Sequence, residues 1–244
     1  MISAFFHTFF YNPIYNALVA LVAIVPGSDV GVAIILLTIA IRLLLLPFSL
    51  KAARTQRAMK ILEPKIKALK EIHKGNKEQE AVETLALYKE AQVNPFASIL
   101  IAFIQIPILL ALYWVFTYEP FPAINLARLY TLTPVPHTAS LEFLGLISVA
   151  GKSLFLAVLA GLTQLLQAHM ALQGTMKPAE GGKQGDFQKI IGMQLKYVFP
   201  FLIGAISYST SGAVALYFIA TNLAGAAQEW HVRRTIALET AQLQ

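Results

Sequence analysis

The stretch from Gly31 to Leu50 contains one charged residue, Arg42, and is otherwise almost wholly apolar. About 20 such residues make a helix long enough to cross a hydrocarbon core about 30 Å thick. In lipid the backbone must satisfy its own hydrogen bonds, so such a run can cross only as a helix, packed beside other helices. Composition agrees: of 244 residues, 57% are hydrophobic and 13% charged, about half the charge of an ordinary soluble domain. The length accommodates roughly five or six spans. The chain has no Cys, which excludes disulfides, thiolate metal sites, Cys nucleophiles and a lipid-modified N-terminal Cys. His7, His73, His137, His169 and His231 are scattered and form no HExxH-like pair, so zinc has no sequence support. No GxxxxGK[ST], GxGxxG or GxSxG motif occurs, and no cofactor is expected.

Hydropathy and charge divide the chain into segments 1–30, 31–50, 51–93, 94–230 and 231–244. The first thirty residues lack Lys and Arg, so the charged region of a cleaved signal peptide is missing. Within them Ile14 to Val25 is apolar but too short to span. Asn16, Ala20 and Ala23 share one helical face, with Ile14, Leu18, Val22 and Val25 opposite. This predicts an interfacial helix lying on the membrane. After the first span, residues 51–93 carry ten Lys/Arg and six Glu, with Met59, Leu62, Ile66 and Leu69 at helical spacing. A break at Lys74-Gly75-Asn76 separates a second such pattern through Val82, Leu85, Tyr88 and Val93. Two amphipathic helices joined by a turn predict an antiparallel hairpin outside the membrane, its first arm kinked at Pro64.

Asn94-Pro95 opens a second span, about Phe96 to Phe116. A proline-punctuated, non-helical connection leads to a third, about Ser153 to Leu172. Gln173 to Lys189 reads as a flexible loop. Two short spans follow, about Ile190 to Tyr208 and Ala213 to Gln228, joined by a tight turn at Ser209 to Gly212. Sixteen Lys/Arg fall on the side of the hairpin, the glycine-containing loop and the tail, against Arg128 and Lys152 on the other. The excess of basic residues marks the cytoplasmic side. The expected fold is therefore all-α, with five transmembrane helices, N-out and C-in, and a cytoplasmic hairpin between the first and second spans.

Arg42 lies in the middle of the first span. A guanidinium there costs about 2.5–3.5 kcal/mol on insertion scales. None of the five expected spans contains an internal Asp or Glu to pair with it. Either the charge snorkels to an interface or it faces a water-filled recess that attracts acidic groups. Thr38 is one turn away on the same face. Gln105, Gln164, Gln167, Thr221 and Asn222 can line the same recess or simply hydrogen-bond between helices. His169 reads as structural, and Tyr113, Trp114, Phe116 and Tyr118 as an interfacial aromatic belt. The absence of repeats and of membrane carboxylates weighs against a solute carrier or channel.

Several stretches carry a resemblance: Thr38 to Pro47 (TIAIRLLLLP), Met59 to Lys65 (MKILEPK), Leu87 to Pro95 (LYKEAQVNP), Gln105 to Trp114 (QIPILLALYW) and Ala213 to Gln228 (AVALYFIATNLAGAAQ). In order and spacing, the chain resembles the YidC/Oxa/Alb membrane protein insertases from about residue 14 to 230. The resemblance implies a five-helix core in the bacterial inner membrane and a hydrophilic groove open to the cytoplasm and to lipid. That groove would contain Arg42, with Gln167 and Phe218 at lining positions; the residue pattern adds Thr38, Gln105 and Asn222 as candidates for the same groove. The resemblance also implies a non-enzymatic insertase, Sec-independent or acting with the Sec translocon; with about thirty residues before the first span, the large extracytoplasmic domain of some bacterial members is not expected. Expected partners are nascent membrane-protein substrates and the lipid bilayer, with the Sec translocon, the ribosome and the signal-recognition-particle receptor as further candidates. No specific nucleic acid is implied.

Overall fold

The computed structural model describes residues 2–73, 75–94, 97–119, 121–172 and 193–241. The expected loop at 173–189, the opening of the second span at Pro95 and Phe96, and the start of the fourth at Ile190 lie outside them. The chain is mostly helical. Helix α1, Ile2–Phe6, passes through a π-helical turn at His7–Tyr11 into α2, Asn12–Ile24. Helix α3 follows over Val30–Ile72, then α4 over Lys77–Glu90 and α5 over Ala97–Tyr118. A largely irregular connection carries a two-stranded antiparallel pair, β1 (Glu142–Phe143) and β2 (Ile147–Ser148). Helices α6 (Leu154–Leu172), α7 (Phe199–Ser209) and α8 (Gly212–Ala241) complete the described structure. Among the described residues, two helical stretches are long and apolar enough to cross a membrane, Val30–Thr55 and Leu154–Ala171; Gln105–Tyr118 is apolar but shorter.

Helix α3 runs over 43 residues with Pro47 and Pro64 inside it, so the composition change at residues 50 and 51 does not end the helix. Lys, Arg, Ala, Leu and Met are all good helix formers. Leaving the apolar run changes the surroundings the sequence suits, not the conformation it favours. Asp29 starts this helix: its Oδ1 accepts the Val32 amide at 3.0 Å, and its Oδ2 accepts the Leu144 amide at 2.7 Å. That one carboxylate caps α3 and fastens the β pair to its N-terminus. Asn76 caps α4 through the Gln79 amide, with Glu78 and Glu80 placed favourably in the first turn. His73 Nε2 lies 2.8 Å from Glu83 Oε2, tying the end of α3 to α4.

The core gathers at one end of the bundle. Leu18, Val19 and Val22 of α2 are fully buried with Ala33 and Ile34 of α3, Ala111 and Val115 of α5, Ala160 of α6 and Ala215 of α8. Glycines let α6 and α7 approach closely: a Cβ on Gly161 would lie 3.1 Å from the Pro200 carbonyl. Small residues serve this purpose between membrane helices, where dispersion and close packing drive association.

The even-sided amphipathic picture of α2 does not hold. Asn16, assigned to its polar face, is buried at 4% exposure. Its Nδ2 donates to the carbonyls of Asn12 (2.8 Å) and Arg128 (3.0 Å). Its Oδ1 accepts from the Tyr130 amide and the Thr133 hydroxyl, both at 2.7 Å. Both amide protons and both lone pairs are therefore used. Beside it, Glu119 Oε1 lies 2.8 Å from Arg128 Nε and accepts from Asn125 Nδ2 at 3.3 Å, and Tyr15 Oη accepts the Asn125 amide at 2.8 Å. The connection after α5 is thus bolted down onto α2. Trp114 packs edge-on against Phe6 at 4.9 Å, so this aromatic belongs to the same seal.

Two outcomes follow for this seal. Asn16→Leu leaves the Tyr130 amide and the Arg128 carbonyl without that partner, and should lower unfolding free energy by about 2–4 kcal/mol, measured by detergent-titrated unfolding. Burial, together with the nearby Glu119 carboxylate, pushes the Tyr11 phenol up to about 12. The folded state then holds this proton more tightly than the unfolded chain. Its stabilising contribution is complete below the unfolded pKa near 10 and is lost as pH rises towards 12. The melting temperature should fall more steeply across that window in the native protein than in Tyr11→Phe.

Candidate groove at Arg42

On α3 the last fully covered residues of the apolar run are Leu37 and Thr38; from Ile39 to Lys51 none is buried. On α8 burial is continuous from Gly212 to Asn222 and breaks at Leu223, with Gly225, Ala226 and Val232 buried further on. The two helices therefore share a closed end and an open end, and Arg42 stands just past the change. An apolar groove of about 620 Å³ opens there. Ile35, Ile39, Leu43 and Leu46 of α3 form one wall, and Leu216, Ile219, Ala220, Leu223 and Ala224 of α8 the other.

A second, more polar pocket of about 170 Å³ lies on the next face of α8. Arg42, Ser49 and Ala52 of α3 line it with Gln167 of α6 and with Gly225, Gln228, Glu229 and Val232 of α8. Arg42 and Gln228 line both cavities, so the guanidinium stands at the seam between an apolar wall and a polar one. Gly225 makes the seam possible. A Cβ there would collide with the Gln167 amide nitrogen and lie 3.5 Å from Arg42 Nη2. Removing one side chain lets the amide and the guanidinium meet over the α8 backbone.

The residues expected at the site divide sharply. Arg42 and Gln167 come together. Gln105 instead donates to the Tyr217 hydroxyl at 3.1 Å, linking α5 to α8. Thr38 is buried and its hydroxyl donates back to the Ile34 carbonyl at 2.7 Å. Asn222, 1% exposed, donates to the Ala160 carbonyl and the Thr163 hydroxyl, both at 3.2 Å, and so ties α8 to α6. Phe218 sits in the core with its ring 5.5 Å from that of Tyr217. None of these four lines either cavity. Thr38 and Asn222 fail for the same reason: they lie one turn inside the closed end, where the faces they share with groove residues are covered. Gly225, Ser49, Gln228 and Glu229 went unassigned in the sequence. Residues 225, 228, 229 and 232 do recur at helical spacing, but a glycine gives no polar signal until Gln167 is placed above it.

Among the described residues no carboxylate forms an ion pair with Arg42. Glu229, in the same pocket, is 3.0 Å from Arg233 Nε instead. No group of His, Cys, Asp or Glu that could hold a metal ion occurs among the described residues. The arrangement offers a cation with amide neighbours beside an apolar trough. It suits a ligand that is apolar along its length and acidic or polar at one end.

The model of the 60Kd inner membrane protein family matches residues 21–239. The chain is 28% identical over 225 residues to a membrane protein insertase YidC of Clostridium perfringens (strain 13 / Type A), covering 92% of this chain and 87% of that protein. It is 33% identical over 204 residues to the membrane protein insertase YidC of Francisella tularensis subsp. novicida (strain U112), covering 84% of this chain and 32% of the relative. The chain thus spans most of the first and about a third of the second. Matched over nearly its whole length, the chain belongs to the 60Kd inner membrane protein family.

Proposed function

We propose that this protein inserts newly made membrane proteins into the bacterial inner membrane, without the Sec translocon or beside it. The observation that carries the reading is Arg42 at the seam of an apolar groove and a polar pocket, with no ion-pair partner among the described residues. In this reading the groove takes the apolar segment of a nascent chain while Arg42 and Gln167 hold its acidic or hydrophilic end in water part-way across. Moving one Asp through the bilayer centre costs about 2.5–3.5 kcal/mol. A carboxylate about 4 Å from a guanidinium gains about 4 kcal/mol at an effective dielectric constant near 20. One cation can therefore offset the transfer of one acidic residue, with no bond made or broken.

The accompanying topology is five spans, multi-pass, N-out and C-in, with helices α3 and α4 forming a cytoplasmic hairpin over residues 51–93. The sided distribution of Lys and Arg supports that orientation. The segments 1–30, 31–50, 94–230 and 231–244 then serve as outer seal, first span, remaining spans and tail. Thr38, Gln105, Phe218 and Asn222 act at one remove in this proposal, fixing the helices that carry Arg42 and Gln167. The names of the two relatives support nascent membrane proteins as substrates. The Sec translocon, the ribosome and the signal-recognition-particle receptor are proposed as partners.

The test is reconstitution of the purified chain alone in lipid vesicles with a single-span substrate whose translocated tail carries acidic residues. Protease protection of that tail reads insertion. Arg42→Ala should reduce protection roughly tenfold or more, about the effect of losing a 1.4 kcal/mol interaction or larger, and Arg42→Lys should retain most of it. Gly225→Leu, which leaves the charge but fills the space over it, should also reduce protection. Equal protection in the native protein and Arg42→Ala would sink this role for the charge.

A further inference from the structure

We propose that Arg233 is a positioning residue that keeps Glu229 away from Arg42, so that the cation in the groove stays open to acidic groups of the substrate. This rests on the insertase reading and goes beyond it, because it assigns a task to a pair outside the expected groove residues. Among the described residues lining the Arg42 pocket, Glu229 is the one carboxylate. It therefore threatens the site from within: it is tethered one helical turn from Gly225, the residue over which Arg42 and Gln167 meet. A tethered acid at that position would outcompete an acid on a passing chain, since its effective concentration is far higher.

Two contacts hold it off. Arg233, one turn further along α8, brings its Nε to 3.0 Å from Glu229 Oε1. The same guanidinium donates from Nη2 to the carbonyl of Met170. That carbonyl belongs to the last turn of α6, where helix geometry leaves carbonyls without an intrahelical donor. Arg233 is thereby anchored to α6 and cannot follow Glu229 into the pocket. Its neighbour Arg234 has a different engagement, with its guanidinium 5.6 Å from the centre of the Trp230 ring. The pocket of about 170 Å³ leaves room for the Glu229 carboxylate to turn towards Arg42 once Arg233 is removed. A pocket closed on itself in that way is neutral, and loses its preference for acidic over neutral substrate tails.

The test separates capture from insertion. The full chain carries the photoreactive residue benzoylphenylalanine in place of Leu46, which lines the apolar groove. Nascent single-span substrates with either an Asp/Glu tail or an otherwise identical Asn/Gln tail are presented to it, and crosslink yield is scored. Arg233→Ala should lower capture of the acidic-tail substrate roughly threefold or more, while changing capture of the neutral-tail substrate less than twofold. Glu229→Gln should raise acidic-tail capture. The double variant should match Glu229→Gln, because without the carboxylate there is nothing left for Arg233 to hold. A double variant as poor as Arg233→Ala would overturn the proposal, leaving Arg233 as a plain cap on α6. Equal loss for both tails would overturn it too. Protease protection in the same vesicles reads the insertase reading separately: tail-selective capture and rescue with no insertion would refute that function while leaving the role of Arg233 standing.

Discussion

A guanidinium among apolar side chains must find either an anion or water, and among the described residues no carboxylate pairs with Arg42. In the proposed topology its cost at mid-membrane opposes full closure of the surrounding helices over it. The change from covered to uncovered residues at Thr38 on α3 and at Asn222 on α8 is the structural expression of that constraint. A bundle opened at one end needs its strength at the other. There α2, the β pair and the connection after α5 converge, held by saturated Asn16, by Asp29 capping α3 and by the Glu119–Arg128 pair. These groups are polar and buried, so each is safe only while its partners stay in place.

The two cavities on adjacent faces of α8 divide the energetic task unequally. An apolar segment in the groove gains little on leaving it for lipid, because acyl chains are about as apolar as Leu and Ile. That near balance lets a segment enter and depart, but it gives no direction. In the proposed reading direction comes from the polar pocket, where a charged end finds stabilisation that hydrocarbon cannot supply. Small residues at Ala220, Ala224 and Gly225 keep the helix slim where both ends of such a ligand must pass.

Local periodicity made part of this architecture readable. The apolar run around Arg42, the break near Asn76 and the span ending at Leu172 all appear as helices or their ends where the residues suggest. Gln167 was one of several span residues able to line the recess of Arg42, and motif resemblance singled it out, since nothing in either helix alone points to the other. Failures have a common origin in contacts between residues far apart in the chain. Asn16 looks like a solvated position on a short amphipathic helix, yet its partners are more than a hundred residues away at Arg128, Tyr130 and Thr133. Thr38 and Arg42 are one turn apart on one face, but cover ends between them, and no helical periodicity encodes where a neighbouring helix stops. Gly225 was invisible for the opposite reason: its contribution is the absence of a side chain beneath an amide supplied by another helix.

The continuity of α3 has a mechanical consequence for the proposed function. A helix of 43 residues is about 65 Å long at 1.5 Å per residue, roughly twice the hydrocarbon thickness. Arg42 lies about 18 Å from its start, which in the proposed topology is near the middle of the membrane, with Ile72 far outside. The first arm of the proposed hairpin and the groove wall are then two stretches of one helix, with Pro47 between them. The outer arm is fastened differently: α4 returns across a short turn and is tied back by His73 and Glu83 at its base.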